Sequence, residues 1–251
     1  MDLHDKVSLV TGGTLGIGAA IVMELAKRGS HLAVAARNVS EGPANELKAA
    51  VEKLGRQCVL IPADLAKSED CRFAIEQTVQ QLGRLDVLVH NAGGPSFGKI
   101  EDVSEEQWLH TMALHVNANF FLAKAALPHL RTAGSGAIIM ISSTAGIRGV
   151  PGAVAYATAK GALPQFTRTL AKDLADDNIR VNCVLPGIIT TRFHDSLSAE
   201  RRKYNCEHRI PLHREGRPEE VADAVTFLIQ NDYITGESLV IDGGLTSRIT
   251  G

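Results

Sequence analysis

In Tyr156-Ala-Thr-Ala-Lys160 a phenol and an ammonium lie four residues apart. On a helix that spacing projects both from one face, about one turn apart. A free tyrosine has a pKa of about 10, too high for proton transfer at neutral pH, and a cation held nearby favours the phenolate. Lowering it by about 3 units takes roughly 4 kcal/mol of differential stabilisation. Tyr156 would then serve as a general acid or base near pH 7. The Tyr-x-x-x-Lys spacing also arises by chance, so its surroundings must decide.

A second constellation is Thr11-Gly12-Gly13-Thr14-Leu15-Gly16-Ile17-Gly18. Glycines there let a chain turn sharply and let its backbone approach a ligand. A helix starting behind them offers unpaired N–H groups and a partial positive charge to a pyrophosphate. The spacing is G-x-x-x-G-x-G, where most dinucleotide folds have G-x-G-x-x-G, and close packing alone is the competing explanation. Further on, Ala35-Ala36-Arg37 has no acid where one would bind the ribose of NAD. Arg37, with the hydroxyl of Thr14, instead offers positive charge to a 2′-phosphate. This favours NADP(H), with NAD(H) the alternative and a plain surface cation the competing reading of Arg37.

Alternating elements must position these groups. Short apolar runs at Lys6–Thr11, His31–Ala36, Cys58–Ile61, Asp86–Val89, Ala137–Ile141, Ile179–Leu185 and Ser238–Ile241 read as strands. Helical spacing fills the gaps: Ile17, Ile21, Val22 and Leu25, closed by Gly29; Leu47, Val51 and Leu54; residues 69–82, closed by Gly83; Trp108, Met112 and Val116; Val154–Ala175; and Pro218–Ile229. Pro128 is expected to kink or end the helix that carries Trp108. Continuously apolar strands alternating with helices mean a doubly wound parallel sheet covered on both faces. No linker, charge block or repeat divides residues 1–251, so we expect a single α/β domain with a seven-stranded parallel sheet. The one long irregular stretch, Ile188–Arg217, reads as a lid, with a helix from about Ser198 to Glu207.

Composition bounds the partners. An apolar content of 45% in 251 residues supports a sizeable core. A net charge of -2 gives no reason to expect nucleic acid or an anionic membrane. The apolar runs are too short to span a bilayer, and Met1–Asp5 lacks the blocks of a signal peptide. The four cysteines have no C-x-x-C spacing and the nine histidines no ligand cluster, so no metal is expected. A cytoplasmic protein is the expectation.

Over nearly all its length the chain resembles the short-chain dehydrogenase/reductase family. Thr11–Gly18 matches that family's T-G-x-x-x-G-I-G turn, and Asp64, with Leu65 beside it, matches the acid that meets the adenine amino group. Asn91-Ala92-Gly93 matches its N-A-G, with His90 replacing a common asparagine. Asn117 matches the helix asparagine of the active site. Ser143 precedes Tyr156 by 13 residues, as the family's serine does. Pro186-Gly187-Ile188-Ile189-Thr190-Thr191 matches the segment beside the nicotinamide, and Asp242-Gly243-Gly244 the D-G-G near the C-terminus.

The resemblance implies a Rossmann fold and hydride transfer between nicotinamide and a small carbonyl or alcohol substrate. In it Tyr156 is the acid or base, Ser143 orients the oxygen, Lys160 serves both the phenol and the ribose, and Asn117 holds a water of a proton relay. Ser142 is equally hydroxylic, so Ser143 could instead be a strand-end cap; Asn117 could be a backbone partner within its helix. The family gives no role to His110 or His115. It also implies a homotetramer built on two long helices, near residues 104–131 and 154–175. The general pattern is closest to 3-oxoacyl-acyl-carrier-protein reductases, although Asp176-Asp177-Asn178 stands where those often carry a basic docking residue. A dehydrogenase of a sugar, polyol or other hydroxy compound stays open, as does a dinucleotide-sensing protein without catalysis. Within 188–217 the basic residues Arg192, His194, Arg201, Arg202, Lys203, His208, Arg209, His213, Arg214 and Arg217 outnumber Asp195, Glu200, Glu207 and Glu215. That excess suits an anionic substrate, or simply a solvated lid.

Overall fold

In the computed structural model, residues 1–40, 42–191 and 198–247 are described. Seven strands form one parallel sheet: β1 (Val7–Thr11), β2 (His31–Ala36), β3 (Cys58–Pro62), β4 (Val87–His90), β5 (Gly136–Ile141), β6 (Ile179–Pro186) and β7 (Ser238–Ile241). Their order is β3-β2-β1-β4-β5-β6-β7, so the winding reverses between β1 and β4. Leu9 pairs with Ala33 on one side and with Leu88 on the other. A crevice opens beyond the carboxyl ends of the strands at such a reversal, and ligands of these sheets bind there.

Successive strand residues point to opposite faces, and both faces are apolar. Leu9, Ala33, Leu88, Ile138 and Met140 pack with α3 (Ser68–Leu82), α5 (Ala118–Thr132) and α6 (Val154–Asp173). Val10, Val34, Val89 and Ile139 pack with α1 (Gly16–Lys27), α2 (Pro43–Lys53) and α8 (Pro218–Gln230). Among the described residues no helix is long and apolar enough to cross a membrane.

Several expectations change. The helix carrying Trp108 is a rod in three parts: α4 (Glu105–Met112), a wider π turn (Ala113–Asn117) and α5. Pro128 does not end it; α5 runs on to Thr132. The inward face lies one residue before the expected row. The residues it buries are Thr111, His115, Ala118 and Asn119, while Trp108, Met112 and Val116 are only half-buried. α6 stops at Asp173, short of Ala175.

Residues 188–217 leave and rejoin the sheet at one point. Thr190 N–H donates to Gly216 O and Gly216 N–H to Ile188 O, each at 2.9 Å. Between them lie α7 (Ala199–Tyr204) and a π turn (Asn205–Arg209), near the expected helix at 198–207. Arg192, His194 and Asp195 of the charge tally lie outside the described residues.

Candidate active site

One cavity of about 940 Å³ lies over the crevice. The sequence-expected residues Gly12, Thr14, Leu15, Gly16, Ile17, Arg37, Asp64, Leu65, Asn91, Ala92, Gly93, Ser143, Tyr156, Lys160, Pro186, Gly187, Ile189 and Thr191 all line it. Gly18 and Asn117 do not. Gly18 lies one turn inside α1, packed on the Gly12 carbonyl where a Cβ would collide. Its role is to let helix and turn touch, the close packing expected of a glycine there.

The glycine turn is knotted to β4. Thr11 Oγ1 accepts from the N–H groups of Asn91 (3.2 Å) and Ala92 (3.1 Å), so its own proton goes to His90 Nδ1 at 2.8 Å. His90 then carries its proton on Nε2, 3.2 Å from Leu114 O. Asn91 Nδ2 donates to Gly12 O at 3.0 Å. His90 is thus a structural link between β1, β4 and the π turn. Burial pushes its imidazole down to about 3, and the Lys160 charge adds to this.

Tyr156 and Lys160 sit in the first two turns of α6, which a second proline shapes. Pro164 has no N–H to give the Lys160 carbonyl four residues earlier. Ser142 Oγ donates to that carbonyl instead, at 2.7 Å. Lys160 Nζ reaches back to Ile141 O, also at 2.7 Å. The end of β5 and the second turn of α6 are therefore clamped twice. The clamp uses the Ser142 hydroxyl and leaves Ser143 for the cavity, which separates two serines that the sequence could not.

Ser143 Oγ accepts from Ala145 N–H at 3.1 Å and shares a hydrogen bond with the Tyr156 phenol. Burial pushes that phenol above its ordinary value, and the Ser143 bond opposes the rise. The expected lowering by Lys160 is not what the protein shows. The ammonium is 5.8 Å from the ring centroid and points at the Ile141 carbonyl. Burial brings Lys160 itself down to about 8.

His115 is the residue that the sequence reading passed over. It is buried and lines the cavity, with its ring edge-on to Tyr156 at 5.5 Å between centroids. Nε2 lies 3.1 Å from Gly94 O, which makes it the donor. Nδ1 then has no proton and no partner among the described residues. A Cβ on Gly93 would stand 2.5 Å from His115 Cε1, so imidazole and N-A-G turn are in contact. Burial first, then the charge of Lys160, pushes the ring down to about 2, so it is neutral. Asn117, two residues on, is exposed and outside the cavity. Helical phase makes the difference: the buried positions Thr111, His115, Ala118 and Asn119 form a row one residue before Met112 and Val116, and Asn117 falls on the outer side. The signal in the sequence was a histidine two places before that asparagine, in a segment we read with ordinary α spacing.

Comparison with known proteins agrees with this geometry. A family model described as enoyl-(acyl carrier protein) reductase matches residues 12–246. Human dehydrogenase/reductase SDR family member 4 is 38% identical, over 98% of this chain and 90% of that protein. Among solved structures, a blue fluorescent protein from a metagenomic library, in complex with NADPH, superposes with a TM-score of 0.91 at 37% identity, covering 98% of this chain and 99% of the other. L-Sorbose reductase from Gluconobacter frateurii, complexed with NADPH and L-sorbose, gives 0.92 at 31%, covering 99% and 100%. The chain belongs to the short-chain dehydrogenase/reductase family and shares its Rossmann-like sheet and oxidoreductase class.

Proposed function

We propose that the protein is an NADP(H)-dependent oxidoreductase that interconverts a carbonyl and a secondary alcohol, with Tyr156 as general acid and base. The observation that carries this is the convergence of the Tyr156 phenol, the Ser143 hydroxyl and the buried Lys160 ammonium on the cavity that the glycine turn also lines. The residues fit the cofactor. No side chain caps the N-terminus of α1, so its first amides are open to a pyrophosphate beside Gly12 and Thr14. Arg37 is exposed on the cavity wall past the end of β2, and no carboxylate stands beside it at Ala36 or Asn38. That suits a 2′-phosphate, and the two superposed structures named above hold NADPH.

The cofactor supplies the hydride. This chain's residues orient the carbonyl and move the proton. Ser143 and Tyr156 both hydrogen-bond the substrate oxygen. The raised phenol keeps its proton at neutral pH, as the acid in carbonyl reduction must. Lys160 supplies positive charge beneath the phenol, and His115, packed on both Tyr156 and the Gly93–Gly94 turn, holds acid and cofactor turn in one geometry.

A sugar or polyol is the second reading of the substrate, favoured by the L-sorbose in one similar structure; a 3-oxoacyl substrate is the third. We read residues 1–251 as one domain closed by the 188–217 lid. We read the assembly as a homotetramer using α4–α5 and α6, since Leu109 and Phe120 are exposed apolar residues on α4–α5. The functional test follows NADPH oxidation against a panel of ketones, ketoses and 3-oxoacyl thioesters. Turnover of at least one class, lost in Tyr156→Phe, is expected; full activity in that variant would overturn the assignment.

A further inference from the structure

Among the described residues, the lid's arginines and lysine separate into two groups. Arg202 Nη1 lies 3.3 Å from Glu215 Oε2, an oxygen that also accepts from Thr190 Oγ1 at 2.9 Å. Arg214 pairs with Glu220 at 2.6 Å, Arg217 meets the same carboxylate at 4.0 Å, and Lys203 meets Glu207 at 3.8 Å. These cations are neutralised within the lid and its junction with α8.

Arg201 and Arg209 are different. Among the described residues neither has an ion pair, and both line the cavity together with Asn205. The spacing 201, 205, 209 stacks the three on one face of α7 and the turn that continues it. Arg209 is half-buried and held by Asn205, whose Oδ1 accepts from Nη1 at 2.9 Å; Asn205 is itself 2% exposed. The Arg201 guanidinium lies over the Tyr204 ring, 5.4 Å from its centroid. Two like charges turned toward one space repel, and burial adds a cost for Arg209. A fold tolerates that where an anion completes the site.

Of the cavity's described lining residues, Asp64 is the only acid, and it belongs to the turn after β3. The walls between Tyr156 and the lid include Val150, Ala153, Ile188 and Leu245. We propose that the substrate is an anionic carbonyl compound with an apolar body, its carboxylate or phosphate held by Arg201 and Arg209 while its carbonyl meets Tyr156 and Ser143. This rests on the oxidoreductase reading above for the reaction and on the two arginines for the anion.

Two readouts test them apart. In turnover, 2-oxo to 5-oxohexanoates are compared with their methyl esters, and 5-oxohexyl phosphate with 6-hydroxyhexan-2-one. In binding, hexanoate, hexyl phosphate and hexanamide are titrated against the enzyme–NADPH complex by thermal shift. We expect at least one acid or phosphate to exceed its neutral partner by ~10-fold or more in kcat/KM, the effect of one charge-assisted hydrogen bond. Its anionic probe should raise Tm where hexanamide does not. Arg201→Gln and Arg209→Gln should each erase the preference through KM, with kcat and NADPH affinity kept, and Arg209→Lys should restore part of it. Whether carboxylate or phosphate gains more identifies the anion. Esters equal to acids, with no binding of either anionic probe, overturns the proposal. So does loss of NADPH affinity in the glutamine variants, which would give the arginines to the cofactor's pyrophosphate. Anion binding that depends on the arginines, without turnover of any carbonyl, supports the anion site and counts against the oxidoreductase reading.

Discussion

At the scale of single residues, burial moves the titrations of the site's groups away from those of free side chains. Burial outweighs the Ser143 bond and pushes the Tyr156 phenol further above its ordinary value, so it stays protonated well past neutral pH. Replacing it with phenylalanine removes the proton and leaves the packing. We therefore expect turnover to fall by about 10²–10⁴-fold, the range for loss of a general acid, with the NADPH dissociation constant unchanged. Ser143→Ala should act in the same direction, and Ser142→Ala by another route. His115→Leu keeps the bulk beside Tyr156 and deletes the bond to Gly94 O. We expect kcat and NADPH affinity to drop together, since one ring touches both parts. An unchanged NADPH affinity, measured by fluorescence titration, would show that the N-A-G turn holds itself.

At the scale of elements, a proline in α6 and the α4–α5 rod set the site. Pro164 frees the Lys160 carbonyl and Ser142 takes it up. Ser142→Ala leaves a buried carbonyl unpaired, which costs about 1–3 kcal/mol. Urea unfolding should show that loss, and kcat should fall because Lys160 is held by the same clamp. A stability unchanged within error would mean that another donor reaches the carbonyl. The π turn is a different case. Strand, helix and glycine-turn positions were legible because burial on both sheet faces leaves continuous apolar strands, and because φ near +60°, as at Gly12, favours glycine. The turn at Ala113–Asn117 was not legible. A widened turn leaves no mark on composition, and two neighbouring rows share the same helical spacing there, so the sequence pointed to Asn117 and gave His115 no role.

At the scale of the whole molecule, His90 and His115 link the fold to pH. Both are neutral in the fold, near 3 and near 2, against about 6.5 for the unfolded chain. Below pH 6.5 the unfolded chain binds protons that the folded one does not, so stability is present above that pH and lost as pH falls. Each contributes a slope of about 1.4 kcal/mol per pH unit inside its window. His90→Asn should reduce the slope of unfolding free energy between pH 6 and 4 by about that amount; equal slopes would mean His90 is protonated in the fold. Cofactor choice is also read from the whole molecule: at equal concentration NADPH should raise Tm more than NADH, and Arg37→Ala should narrow the gap. A scattering mass of four chains is expected, and a monomer would remove the tetramer.

By itself the sequence determined the alternation of elements, the parallel sheet and the glycine turn, because these follow from local periodicity and backbone sterics, and it singled out Ser143, Tyr156 and Lys160 as candidates, which line one cavity. Tertiary structure decided the rest. It committed the Ser142 hydroxyl to a carbonyl that Pro164 had freed and set Ser143 beside the Tyr156 phenol. It raised the tyrosine that spacing alone would have lowered, because burial penalises the phenolate and Lys160 points elsewhere. Among the described residues it also sorted the lid's arginines and lysine into those paired with glutamates and two, Arg201 and Arg209, that face the cavity. Those outcomes depend on distances between residues far apart in the chain, which no local pattern encodes.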